Sequence, residues 1–75
     1  MKIQQTIISK LEYMSKKKVT LDSTLEQLNV DSLDLADLII EAEKEFQIQI
    51  PDEELTKIKK VKDIVILVEK LKSNI

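Results

Sequence analysis

Asp31-Ser32-Leu33-Asp34-Leu35-Ala36-Asp37-Leu38-Ile39-Ile40-Glu41-Ala42-Glu43-Lys44-Glu45-Phe46 is the stretch whose reading decides the fold. Leu35, Leu38, Ile39, Ala42 and Phe46 recur at spacings of three and four, which is one apolar stripe on an α-helix. Asp34, Asp37, Glu41 and Glu45 keep the same period on another face, with Glu43 beside them. Leu33, Ala36 and Ile40 fall between the two stripes, so an apolar seam runs along the acidic flank. Asp31 or Ser32 can cap the N-terminus, with Asp34 placed to complete a carboxylate version of the capping box. The spacing ends the helix near Phe46–Gln47.

The segments on either side follow from that helix. Val19 to Val30 has no sustained helical period and holds Thr20, Asp22, Ser23, Thr24 and Asn29. Val19, Leu21, Leu25 and Leu28 can pin it to a core, which predicts an ordered long loop with a short turn at Leu25–Leu28. A loop this long in so short a chain usually has a functional reason. Ahead of it, Lys2 to Met14 sets Ile3, Ile7, Ile8, Leu11 and Met14 on one face, and Lys2, Gln4, Gln5, Lys10 and Glu12 on the wet face. Lys16-Lys17-Lys18 then suits the negative pole of that helix. Beyond Phe46, Ile48-Gln49-Ile50 alternates, but Pro51 follows at once and argues against a strand. Pro51 with Asp52-Glu53-Glu54 opens a short helix to about Ile58. A last helix spans about Val61 to Leu71, with Val61, Ile64, Val65, Val68 and Leu71 inward. The expected fold is all-α: a small bundle of three main helices plus one short helix, a long loop between the first and second, and residues 1–75 as one domain.

Composition narrows the chemistry. Seventy-five residues are near the lower limit for folding without a staple, and there is no cysteine to supply a disulfide or a thiolate metal site. Histidine is absent, which removes the usual zinc ligand and the usual general base. Stability falls to aliphatic side chains, since Tyr13 and Phe46 are the only aromatics. Glycine is absent and proline occurs once, which excludes collagen-like and turn-rich β architectures. The net charge of −2 hides a division: residues 31–54 hold nine acids against Lys44, whereas residues 1–18 hold five lysines and one acid, and residues 57–75 six lysines and two acids. An acidic middle points to partners with basic faces and away from nucleic acid. Asp31, Asp34 and Asp37 stand at helical spacing without the glycine of a calcium loop, so no metal site is expected. The longest apolar run, Ile64–Val68, is too short for a bilayer, and Ile3 to Met14 is amphipathic rather than the continuous apolar run of a secretory signal. A cytoplasmic monomer without stable membrane insertion is the expectation.

Asp31-Ser32-Leu33 carries the chemistry. A serine at a helix N-terminus sits where free N–H groups and the helix dipole favour a phosphate diester. Such a serine is open to a modifying enzyme, and Asp31 can serve that enzyme's metal or donor, or act as a cap. Without histidine or a glycine elbow nothing activates Ser32 as a hydrolytic nucleophile, so it is better placed to be modified than to catalyse. The run from Leu28 through Leu38 resembles the phosphopantetheine attachment region of acyl carrier proteins. The likeness continues through Glu43-Lys44-Glu45-Phe46, the Ile48-to-Glu54 run and Val61-Lys62-Asp63-Ile64.

The resemblance implies that a phosphopantetheinyl transferase joins the 4'-phosphopantetheine arm of coenzyme A to Ser32. It implies that Leu33, Ala36 and Ile40 contact partner enzymes, and that Asp34, Asp37, Glu41 and Glu43, with Asp52 and Glu53 of the short helix, meet basic docking patches. Leu38, Ala42, Ile50, Leu55, Ile58 and Ile64 become candidates for lining an acyl pocket. The implied role is a non-enzymatic carrier of acyl thioesters for fatty-acid or related lipid biosynthesis, served by acyl-transfer and chain-elongation enzymes. Rival readings are a specialised polyketide, aminoacyl or lipid-modification carrier, and an unmodified helical adaptor. Three departures bear on loop geometry: Asn29, Gln47 and Lys62 stand where the family usually or often has glycine. Asparagine is the next best residue for a left-handed backbone, whereas Gln47 makes a weaker helix stop.

Overall fold

The computed structural model describes residues 3–73. Four helices follow in order: α1 (Ile3–Ser15), α2 (Ser32–Phe46), α3 (Asp52–Leu55) and α4 (Val61–Ser73). Lys2, assigned to the first helix from its pattern, lies outside the described residues. Each long helix presents the stripe its spacing predicts. Ile3, Ile7 and Leu11 come from α1, Leu38, Ile39 and Ala42 from α2, and Val61, Ile64, Val65 and Val68 from α4. Val19, Leu25, Leu28 and Val30 of the long loop, with Ile48, Ile50 and Ile58 of the α2–α4 connection, seal the same core. Burial of one such side chain contributes about 1.5–3 kcal/mol. No polar side chain is buried among the described residues, so no charge has to be compensated inside.

Long-range polar contacts fix the helix directions. Lys10 on α1 reaches Glu41 on α2 at 3.1 Å, and a cleft sets Tyr13 beside Asp34 and Asp37, so the two helices run antiparallel. Lys72 Nζ donates to the Phe46 carbonyl at 3.0 Å, which brings the C-terminal ends of α2 and α4 together. That ammonium meets the negative pole of α2.

The long loop is held by α4. The N–H groups of Val61 and Lys62 donate to the carbonyls of Ser23 and Leu21 at 3.0 Å each, and Leu25 N–H donates to Lys59 O at 3.0 Å. Thr24 and Lys60 form an isolated antiparallel bridge at the centre of this pairing. The turn expected at Leu25–Leu28 is present and is opened by a reciprocal capping box. Thr24 N–H donates to Gln27 Oε1, and Gln27 N–H donates to Thr24 Oγ1, both at 3.0 Å.

Two helix ends use one device. Glu12 and Glu43 each accept through the backbone carbonyl from the residue four ahead, Lys16 and Gln47, and both of those residues are left-handed. Each glutamate also accepts through its carboxylate from the N–H seven ahead, Val19 at 3.1 Å and Ile50 at 2.7 Å. Ile48 N–H adds a bond to Glu43 O, the wide loop of a Schellman stop. Gln47 therefore stops α2 despite the missing glycine, and Lys62 lies inside α4, where no left-handed residue is required.

Three sequence-based details differ. The short helix ends at Leu55, and single-turn bonds from Lys57 to Glu54 and from Ile58 to Leu55 carry the chain on to the core. The last helix continues two residues past Leu71, to Ser73. The α2 capping box is one-sided: Asp34 gives its N–H to Asp31, but no bond returns from its carboxylate to the Asp31 N–H. An aspartate is one methylene shorter than the glutamate that normally makes that return.

Gln47→Gly should raise stability, because a side chain in the left-handed region costs about 1–2 kcal/mol that glycine avoids. The thermal midpoint followed by circular dichroism is expected to rise by about 5 °C, whereas Gln47→Val is expected to lower it.

Candidate functional site

Ser32 is presented by the residues ahead of it. Leu28 and Val30 are buried, and between them Asn29 takes φ 57°, so the left-handed turn expected there forms. Asp31 is extended (φ −88°, ψ −174°) and caps α2: its Oδ1 accepts the Asp34 N–H at 2.9 Å and its carbonyl accepts the Leu35 N–H at 2.9 Å. Of the alternatives open in the sequence, Asp31 is the cap and Ser32 the first helical residue. Ser32 is exposed, and the N–H groups of Ser32 and Leu33 belong to the first turn, which has no intrahelical carbonyl to meet them. An accessible hydroxyl beside two free donors at the positive pole of a 15-residue helix fits a phosphodiester.

The face beside Ser32 divides into free and engaged acids. Asp37, Glu45, Asp52 and Glu53 are exposed. Glu41 is exposed but paired with Lys10, and Glu43 is half-buried with its Oε2 held by Ile50, so these two also tie α2 to its neighbours. Asp34 is half-buried at the edge of the α1–α2 cleft. The apolar seam is open: Leu33 is 77% exposed and Ile40 49%, with Ala36 half-buried between them. Among the described residues no group of acids is arranged to hold a metal ion.

The six pocket candidates share the core without sharing a cavity. Leu38, Ala42 and Ile64 are fully enclosed, Ile50 and Ile58 are buried, and Leu55 packs against the cluster half-buried. Ile50 borders an open cleft of about 640 Å³ shared with Ile40 and Glu43, and Ile58 one of about 210 Å³ with Ile66 and Leu67.

One carboxylate anchors the segment ahead of α4 with which the loop before Ser32 is paired. Asp63 Oδ2 accepts the N–H groups of Lys59 at 3.1 Å and Lys60 at 3.0 Å, and these two backbone bonds hold its pKa below the ordinary aspartate value, with the Lys60 and Lys62 charges adding to them. Asp63 is the third residue of α4 reaching back to the chain ahead of it, the half of a capping box that α2 lacks.

This geometry has close counterparts. A family profile described as the phosphopantetheine attachment site matches residues 2–68, which sets the class: proteins bearing a covalent phosphopantetheine arm. An acyl carrier protein homolog of Mycoplasmopsis pulmonis is 44% identical over 69 residues, 92% of this chain and 94% of the relative. An acyl carrier protein of Rickettsia bellii is 43% identical over 75 residues, 95% of this chain and 87% of that one. The crystal structure of the acyl carrier protein from Thermotoga maritima superposes with a TM-score of 0.82 at 34% identity, covering 99% of this chain and 94% of that one. The chain belongs to the acyl carrier protein family. It is accordingly a carrier of acyl groups on covalently attached phosphopantetheine, not an enzyme. No helix among the described residues is long and apolar enough to cross a membrane.

Lys10 and Glu12, read from the pattern as wet-face residues, and Glu43, implied to be a docking acid, have partners within the chain. For the two glutamates the one signal is a buried aliphatic residue seven positions on, at Val19 and Ile50.

Asp63→Asn should destabilise the protein near neutral pH by about 1 kcal/mol, the scale of a lost cap. The native carboxylate has a lowered pKa, so its contribution is present above the ordinary aspartate value and is lost as the pH falls through the lower folded value. Urea unfolding of both proteins should therefore show a constant gap from pH 7 to 5 that closes below about pH 4.

Proposed function

We propose that Ser32 bears the phosphopantetheine arm, and that the chain delivers acyl intermediates to the enzymes of fatty-acid or related lipid biosynthesis. The observation that carries the first part is the exposed Ser32 hydroxyl, held at the start of α2 by the Asp31 cap and the buried Leu28 and Val30. When attached, the arm supplies a terminal thiol that holds the acyl group as a thioester. The protein's own residues orient and address that cargo. Asp31 fixes the helix start, and the N–H groups of Ser32 and Leu33 are the donors that would meet the diester oxygens. Leu33, Ala36 and Ile40 offer an apolar strip flanked by Asp34, Asp37, Glu41 and Glu43, with Asp52 and Glu53 beyond it, to the basic patches of the transferase and the biosynthetic enzymes. Exposed charge pairs of this kind are individually weak and screened by salt, which suits partners that must release the carrier.

Leu38, Ala42, Ile50, Leu55, Ile58 and Ile64 would shelter a chain that parts the helices, because they supply an apolar lining with no buried polar group among them. The reading takes residues 1–75 as one carrier domain, working as a monomer in the cytoplasm.

The test is intact mass before and after incubation with coenzyme A and a promiscuous phosphopantetheinyl transferase. The wild-type chain should gain one phosphopantetheine, and Ser32→Ala, which retains the helix by circular dichroism, should gain none. A folded wild-type chain that stays unmodified sinks the carrier site and favours an unmodified adaptor, while a gain retained in Ser32→Ala moves the arm elsewhere.

A further inference from the structure

Tyr13 is 88% exposed, the most open large hydrophobic side chain among the described residues, and it contributes nothing to the core. It stands on α1 at the edge of a cleft of about 580 Å³ between α1 and α2. Met14 and Ile40 give that cleft an apolar floor, and Asp34 and Asp37 line it from α2. Glu41, at the same cleft, is already neutralised by Lys10 at 3.1 Å. Asp34 and Asp37 have no ion-pair partner among the described residues. The cleft therefore combines an aromatic ring, an aliphatic and thioether surface and two unneutralised carboxylates, two residues and more beyond Ser32.

We propose that the α1–α2 cleft is a docking subsite for an arginine side chain of a partner enzyme. This rests on the reading of α2 as a docking face and extends that face onto α1. The charge selects a cation, and the apolar floor selects one with a long aliphatic stem. The ring selects arginine over lysine: a planar guanidinium stacks on an aromatic face while its fork still donates to a carboxylate, whereas a hydrated ammonium does neither as well. Tyr13 is then a specificity-determining residue that adds orientation to attraction supplied by α2.

Amide shifts of the full, isotope-labelled chain test this with two amphipathic helical peptides at low salt, identical except that one carries arginine and the other lysine at its basic positions. The arginine peptide should move the amides of Tyr13, Met14, Asp37 and Ile40 and bind about threefold more tightly than the lysine peptide. Tyr13→Ala should erase that preference, and Tyr13→Phe should keep it. Tyr13 is too exposed for either change to disturb the core. Equal affinities, or shifts on α2 without any on α1, overturn the subsite but leave α2 docking intact. No shift on α2 with either peptide overturns both, while the mass gain at Ser32 reports separately on the carrier site.

Discussion

Backbone pairing between residues 21–25 and 59–62 is the constraint on which the site depends. A loop of this length carries many N–H and C=O groups that have no helix to satisfy them, and near a core each must find a partner. The first N–H groups of α4 lack intrahelical acceptors for the opposite reason. The structure resolves both at once: Val61 and Lys62 donate to the loop carbonyls of Ser23 and Leu21, and Leu25 donates back to Lys59. Asp63 then satisfies the Lys59 and Lys60 N–H groups ahead of the same helix. With Leu25 and Leu28 fixed by this exchange, Asn29, Val30 and Asp31 have one path into α2, and Ser32 is set at its mouth.

A chain without glycine must turn its corners by other means. Among the described residues three take left-handed backbone, and two of them, Lys16 and Gln47, have no intrinsic aptitude for it. Their cost of about 1–2 kcal/mol each is offset locally. Glu12 accepts two bonds across the corner and Glu43 three, in each case one of them through the carboxylate and the rest through the carbonyl, and a buried aliphatic residue follows at Val19 or Ile50. A charge-assisted bond to backbone is stronger than a neutral one, so the acid at the helix end substitutes for the missing glycine. Glu43 thus stands on the acidic face of α2 and in the corner at the same time.

Helices whose signals are periodic were legible in the sequence. The stripes of α1, α2 and α4 need no distant information, because three- and four-residue spacing states which face is buried. Asp31-Ser32 was legible as a helix start, since caps are local, and Asn29 as a left-handed residue. The loop-to-α4 pairing was not, because backbone bonds between residues 34 to 41 apart leave no mark on side-chain pattern. Acids at helical spacing look alike whether solvated or engaged, which hid the Lys10–Glu41 pair and the role of Glu43. Thr24-x-x-Gln27 did carry a capping-box signal, but within a segment lacking helical period it had no helix to announce.

The separation of charge from core explains how so small a chain can carry cargo without acting on it. All described polar side chains reach solvent, so the interior holds no group able to transfer a proton or attack a thioester. Leu38, Ala42 and Ile64 lie wholly within that apolar interior. Charge is confined to the outside, where the acids of α2 and α3 lie in the chain between the lysines of residues 16–18 and 57–62, and Lys57 pairs with Glu54 at 3.7 Å. Such a molecule has an electrical direction, and a basic partner approaching it is drawn toward the α2 side on which Ser32 lies. The Lys10–Glu41 pair joins the two kinds of surface across α1 and α2, and it leaves Asp34 and Asp37, within five residues of Ser32, without an ion-pair partner among the described residues.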